Sequence, residues 1–170
     1  MYAYHFSGYW KDVGTISSLW EANMEVLDPK NSGIDLFDED WKIYSRNSGM
    51  TGHKIGSDAV IKNSMITDGC RIDGEVEHSV LFAGVKVAPG AVVKDAVVMG
   101  GTVIKSGAVV EHCIIGENAV IGENAKIGVE KEGEDKGVAT IGPGVYVGDG
   151  ATVGSNAMVR ENVKDGEEEW

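Results

Sequence analysis

Proline is scarce in this chain, at 3 of 170 residues, and aromatic side chains make up only 7%. Cysteine occurs twice, as Cys70 and Cys113, far apart and with no CxxC arrangement. Cationic residues are outnumbered, with 15 Lys and Arg against 27 Asp and Glu, for a formal charge of −12. Each shortage excludes something. Without a basic surplus no face can displace the counterions of phosphates, which argues against nucleic acid and against anionic membrane surfaces as partners. Two isolated cysteines read as small buried residues in a reducing cytosol. No apolar run approaches the ~18–20 residues of a membrane span and no secretory h-region opens the chain, so a soluble cytoplasmic protein is expected. What is abundant is glycine, 24 residues, within a chain that is 42% hydrophobic. That is too apolar for disorder, and the glycines lack the every-third spacing of collagen.

The first residues alternate Tyr2, Tyr4 and Phe6 on one side, the period of a strand with one apolar face. Gly14-Thr15 breaks the pattern. After Thr15, a candidate N-cap, Ile16, Leu19, Trp20, Met24 and Leu27 recur at helical spacing, so ISSLWEANMEVL is expected to be an amphipathic helix. Asp28-Pro29 stops it. Residues 1–28 thus read as strand, loop and helix, too little to fold alone. Residues 29–50 read as a docking linker with Phe37, Trp41, Ile43 and Tyr44 as apolar anchors, and WKIYSR as one short strand.

From Ile55 the chain is periodic, and internal repeats decide the fold before local propensity does. IGPGVY, VGDGAT, VGSNAM and VRENVK begin at Ile141, Val147, Val153 and Val159; IGENAV, IGENAK and IGVEKE begin at Ile115, Ile121 and Ile127. Further back the leading aliphatics are Ile55, Ile61, Ile66, Ile72, Leu81, Val87, Val93, Val98, Ile104 and Val110. Most steps are of six, a few of five, with one longer step before Leu81. A short strand, a tight turn and an inward aliphatic account for this. Three units close a triangular coil of about 18 residues, and coils stack at the ~4.8 Å strand spacing, giving roughly six coils. The five-residue steps read as tightened corners. GVEKEGEDKGVAT, residues 128–140, reads as a loop projecting from one corner, solvated or touching another subunit. The repeats occupy 51–165, and an acidic tail, 166–170, is expected to fray, with Trp170 exposed or capping the last coil.

This pattern resembles the hexapeptide-repeat, left-handed parallel β-helix family. The handedness comes from the resemblance alone, since the general rule for parallel crossovers favours the right hand. Fold does not fix function, and two classes stay open. One is a free-standing hexapeptide-repeat acyltransferase or scaffold protein, with His53, His78 or His112 as candidate bases. A histidine at a repeat corner is more often structural.

The other class rests on two strings, YWKDVGTISSLWEANMEVL and NSMITDGCRIDGEVEHSVLFAGVKVAPGAVVKDAVV. Together they resemble the C-terminal part of bacterial glucose-1-phosphate adenylyltransferases, over Tyr2 to about Ile127. The resemblance implies transfer of an adenylyl group from ATP to glucose 1-phosphate, with Mg²⁺, toward glycogen or starch, in a regulated homotetramer. It implies that Asp12 is the catalytic, metal-holding carboxylate. By the same resemblance Trp10 would lie by the sugar-phosphate site or its regulatory loop; Lys11 beside it is a candidate substrate-phosphate contact, with a solvent-facing lysine an equal alternative. A carboxylate is a natural hard ligand for the metal of such a reaction. The family's Gly-rich G-G-x-G-T-R-L loop, its second catalytic Asp and its sugar-phosphate Lys are not in this sequence. GGTVIKSG, residues 100–107, has Ile104 where a P-loop needs Gly. The chain thus reads as a remnant of an α/β nucleotidyltransferase domain joined to a β-helix. Inactive alone, it would serve oligomerisation and transmit effector binding. An apolar face of Tyr2, Tyr4, Phe6, Trp20 and Met24 is expected to be exposed or covered by self-association.

Overall fold

The computed structural model describes residues 1–44, 48–131 and 136–170. Its body is a three-faced parallel β-solenoid of short strands, each paired with its equivalent one turn away. The first face stacks Ile55, Ile72, Val87, Ile104, Ile121 and Val147 as successive Cα partners, and an isolated parallel bridge adds Val163. The second stacks Ile61, Val76, Val93, Val110, Ile127, Val153 and Glu169. The third stacks Ile66, Leu81, Val98, Ile115, Ile141 and Val159. These are the aliphatics that lead the sequence repeats, now arranged as three columns about seven turns tall.

Val76 corrects the one irregular step. The long interval before Leu81 holds a missed column member, fully buried and paired with Ile61 and Val93. A shortened corner after Ile72 hid it. From Ile72 onward every aliphatic of the three columns is buried, whereas Ile55 and Ile61 are 40% and 36% exposed. The first coil has a neighbour on one side only.

The corners differ in chemistry. Two are turns with a left-handed residue supplied by glycine or asparagine, such as Gly101 and Asn118 in one and Gly107 and Asn124 in the other. The third, between the second and third faces, carries the five-residue steps. There Asn63, His78, Asp95 and His112 sit in the left-handed region at φ of 39, 44, 48 and 45°. Asn, Asp and His tolerate that region better than other non-glycine residues. The tightened-corner expectation is met, and the strands Val92–Val98 and Val109–Ile115 run unbroken around it. On the next turn Gly128 follows, at φ 84°, where a Cβ would collide with the Glu111 carbonyl oxygen.

The segment from 128 to 140 leaves at this same corner, between Ile127 and Ile141. Lys136 pairs with Glu130 at 2.8 Å across its base, and Val138 on the returning arm is buried; residues 132–135 lie outside the described ones.

Helix α1, Ile16–Glu25, is N-capped by Thr15 in a capping box with Ser18. Met24 is buried with Val80, Val97, Ile114 and Val138, and Ile16, Leu19 and Trp20 pack against this cluster. Val80, Val97 and Ile114 immediately precede column residues of the third face and point outward. The helix therefore covers the outside of that face, and Trp20 and Met24 have a partner after all. Tyr2, Tyr4 and Phe6 do not: they are exposed, and residues 1–14 contain no strand. A lone extended segment has no ladder to join, so the alternation of aromatics does not become a strand.

α2, Pro29–Ser32, is a single turn ended by Gly33. In the linker after it, Phe37, Trp41, Ile43 and Tyr44 are all exposed. Trp41 to Tyr44 is not strand, and the rest of the expected strand, 45 and 46, lies outside the described residues. The acidic tail does not fray. Glu168–Glu169 pairs with the strand at Thr152 and Val153, and Trp170 lies over Gly154 with the Lys131 ammonium 3.7 Å from its ring. Both cysteines are buried, and burial raises both thiol pKa values. Among the described residues no helix is long and apolar enough to cross a membrane.

Candidate functional site

The loop before α1 is built on alternation. Tyr9 and Lys11 are partly buried and Trp10 and Asp12 exposed, as an extended segment with one face against the helix requires. The Tyr9 hydroxyl donates to Glu25 Oε2 at 2.7 Å, and Lys11 Nζ reaches Glu25 Oε1 at 2.8 Å and Glu21 Oε2 at 2.9 Å. Glu21 and Glu25 are four apart on α1 and share its outer edge. The hydrogen bond from Lys11, then that from Tyr9, holds the Glu25 carboxyl below its ordinary value. Burial, then Glu25, raises the Tyr9 phenol, and the two carboxylates raise Lys11.

Trp10 is 76% exposed. Asp12 Oδ1 accepts from the Gly14 backbone N–H at 3.0 Å, the closure of an Asx turn just before the helix. A shallow cleft of about 520 Å³ is lined by Trp10, Lys11, Glu25, Asp28 and Asn31 among others; Asp12 lies beside it, not within it. Thus Trp10 and Asp12 are both exposed, and Trp10 and Lys11 border one cleft, but the Lys11 ammonium is taken up by helix carboxylates. The sequence reading missed Tyr9, Glu21 and Glu25. The signal available was the i, i+4 glutamate pair on the edge facing an alternating segment.

The described residues do not make a complete magnesium site by themselves. Asp12 offers one carboxylate with one oxygen already engaged, and among the described residues no group of three or more His, Cys, Asp or Glu could hold a metal.

The candidate histidines part company. His53 is exposed and lines an apolar hollow of about 480 Å³ at the open first coil, with Phe37, Ile55 and Ile61. His78 Nδ1 lies 2.7 Å from Asp95 Oδ1 across one rung of the tight corner. His112, one rung further, has its ring centroid 4.3 Å from that of Trp20, and burial, then Lys136, lowers its pKa. Trp20 Nε1 completes the group by donating to the Asp95 carbonyl at 2.8 Å. His78 and His112 are thus tied to the helix-docking corner.

The family model described as "GlmU-like, C-terminal hexapeptide" matches residues 48–148. The chain belongs to that family. A second model, "Nucleotidyl transferase", matches residues 1–29, the segment carrying the Asp12 loop and α1. Among curated proteins, this hexapeptide chain is 57% identical over 97 residues to a glucose-1-phosphate adenylyltransferase of Clostridium perfringens (strain SM101 / Type A), covering 57% of this chain and 25% of that protein. It is 53% identical over 93 residues to the enzyme of the same name from Geobacillus stearothermophilus, covering 55% and 24%. The chain therefore matches about a quarter of the length of these relatives. Among solved structures, the acetyltransferase domain of PglB from Neisseria gonorrhoeae FA1090 in complex with acetyl coenzyme A aligns at 21% identity and a TM-score of 0.46, over 70% of this chain and 54% of that one.

Proposed function

We propose that this chain is the C-terminal part of a glucose-1-phosphate adenylyltransferase, joining ATP and glucose 1-phosphate into ADP-glucose and pyrophosphate when paired with a catalytic domain. The observation that carries the reading is the joining of two matched regions into one packed unit. The segment that matches nucleotidyl transferases docks through α1 on the hexapeptide solenoid, whose relatives at 50–57% identity bear that enzyme's name. In this reading Asp12 is one carboxylate of a Mg²⁺ site completed by residues outside the chain, and Trp10 borders the sugar phosphate. The solenoid serves homo-oligomerisation, to a tetramer in the whole enzyme, and couples effector binding to the active site in the cytoplasm. Tyr2, Tyr4 and Phe6, left exposed, are the surface for the catalytic domain or for self-association.

The test is to mix the chain with a separately expressed N-terminal catalytic part of a related enzyme and follow pyrophosphate release. Turnover in the mixture, absent from either piece, is expected, and its loss with Asp12→Asn places the carboxylate in the site. A mixture that forms a complex yet makes no ADP-glucose sinks the reading. Acyl transfer is the second reading, favoured by the His78–Asp95 pair alone; turnover of acetyl coenzyme A by the isolated chain, abolished by His78→Asn, would replace the first.

A further inference from the structure

The site residues proposed above are held in place by one side chain of α1. Glu25 uses both carboxylate oxygens on the loop, Oε2 on the Tyr9 hydroxyl and Oε1 on the Lys11 ammonium. Tyr9 and Lys11 flank Trp10, so gripping both pins that stretch of backbone against α1 at two points. Trp10 and Asp12, the alternate residues, are left exposed to solvent. The Asp12–Gly14 turn fixes the other end of the loop, directly before the Thr15 cap.

Exposed ion pairs contribute little on their own. This one differs in being part of a four-residue network, Tyr9, Lys11, Glu21 and Glu25, with the Lys11 side chain only 24% exposed. The helix that supplies both carboxylates is itself anchored on the solenoid through Trp20 and Met24. The loop is therefore referenced to the solenoid through Glu25.

We propose that Glu25 is a positioning residue, which by clamping Tyr9 and Lys11 holds Trp10 and Asp12 outward in the orientation the adenylyltransferase site uses. Lys11 is then part of the clamp and not a phosphate ligand. The proposal rests on the reading of Asp12 above, but the clamp can be measured on this chain alone, so its failure and the failure of that reading are separate results.

The chain's four tryptophans allow the test by ¹⁹F NMR with 5-fluorotryptophan, the Trp10 line being assigned with Trp10→Phe. Glu25→Gln is expected to move the Trp10 line toward its position in denatured chain. It should also speed amide exchange across residues 8–14 by about tenfold or more, as a released loop does. The Trp20 line, which reports helix docking, should stay in place. Lys11→Met should act like Glu25→Gln, and Lys11→Arg should restore the wild-type spectrum. In wild type, the Trp10 line should shift in acid as Glu25 protonates, a titration that Glu25→Gln removes. If Glu25→Gln also shifts the Trp20 line, Lys11→Met, which leaves the helix sequence intact, decides. An unmoved Trp10 line and unchanged exchange in Lys11→Met overturn the proposal.

Discussion

The indole Nε1 of Trp20 donates to the carbonyl of Asp95 at 2.8 Å, across a sequence separation of 75 residues. That bond ties the helix following the Asp12 loop to one rung of the solenoid, at a corner where Asp95 also holds His78.

Replacing Trp20 should loosen the helix and leave the solenoid folded. Trp20→Phe loses the hydrogen bond and should cost about 0.5–1.5 kcal/mol. Trp20→Ala also removes the packing on His112 and should cost about 3 kcal/mol, the low end for a large aromatic because the site is only partly buried. Proteolysis confined to residues 1–30 at unchanged β-type circular dichroism would show it. Equal loss of the solenoid signal would contradict it.

The columns should respond to truncation by level. Ile104→Ala, in mid-stack with no exposed surface, should cost about 2–5 kcal/mol in urea unfolding. Ile55→Ala, at the open end and 40% exposed, should cost about 1 kcal/mol or less. Val76 tests the added column member: Val76→Thr keeps the shape and buries a hydroxyl, for about 1–3 kcal/mol.

Most of the solenoid was readable because one aliphatic per strand is a periodic signal, and periodicity survives without knowing which residues meet. Val76 escaped because a shortened corner broke the count. The tail escaped because Glu168 and Glu169 pair through backbone, which composition does not reveal. The strand expected at Tyr2 to Phe6 failed for the converse reason: alternation describes a face, and a strand also needs a neighbour. In the candidate site, Trp10, Lys11 and Asp12 were legible from one motif. Which of them point together was not, because that depends on Glu25 across a helix turn.

The tight corner should discriminate by backbone chemistry. At φ 48°, Asp95→Asn keeps a residue that tolerates the left-handed region, whereas Asp95→Val places a β-branched side chain there. The valine variant should lose about 1–3 kcal/mol more than the asparagine variant, measured by thermal unfolding. Equal losses would contradict a backbone penalty here, the more so because Asn keeps an oxygen for His78 and Val does not.

Acid should weaken the docked helix through His112. Its folded-state pKa lies below the ordinary 6.5, so the unfolded chain binds the proton first. Stability is therefore full above about pH 6.5 and declines as pH falls from there through the lowered value. Glu25, Glu130 and Asp149, also lowered, add their losses only further down, in the carboxylate range. His112→Gln should remove the first decline in a pH series of urea midpoints and leave the second.

Because every rung repeats the last, the solenoid works as a ruler graduated at ~4.8 Å. The helix reads one mark on it, the Asp95 carbonyl, and carries the Asp12 carboxylate at a fixed offset. Slippage of that contact by a single graduation would shift the whole Asp12 loop by the same length. A long, uniform rod thus acquires one position that is unlike all the others, and it is set by a tryptophan.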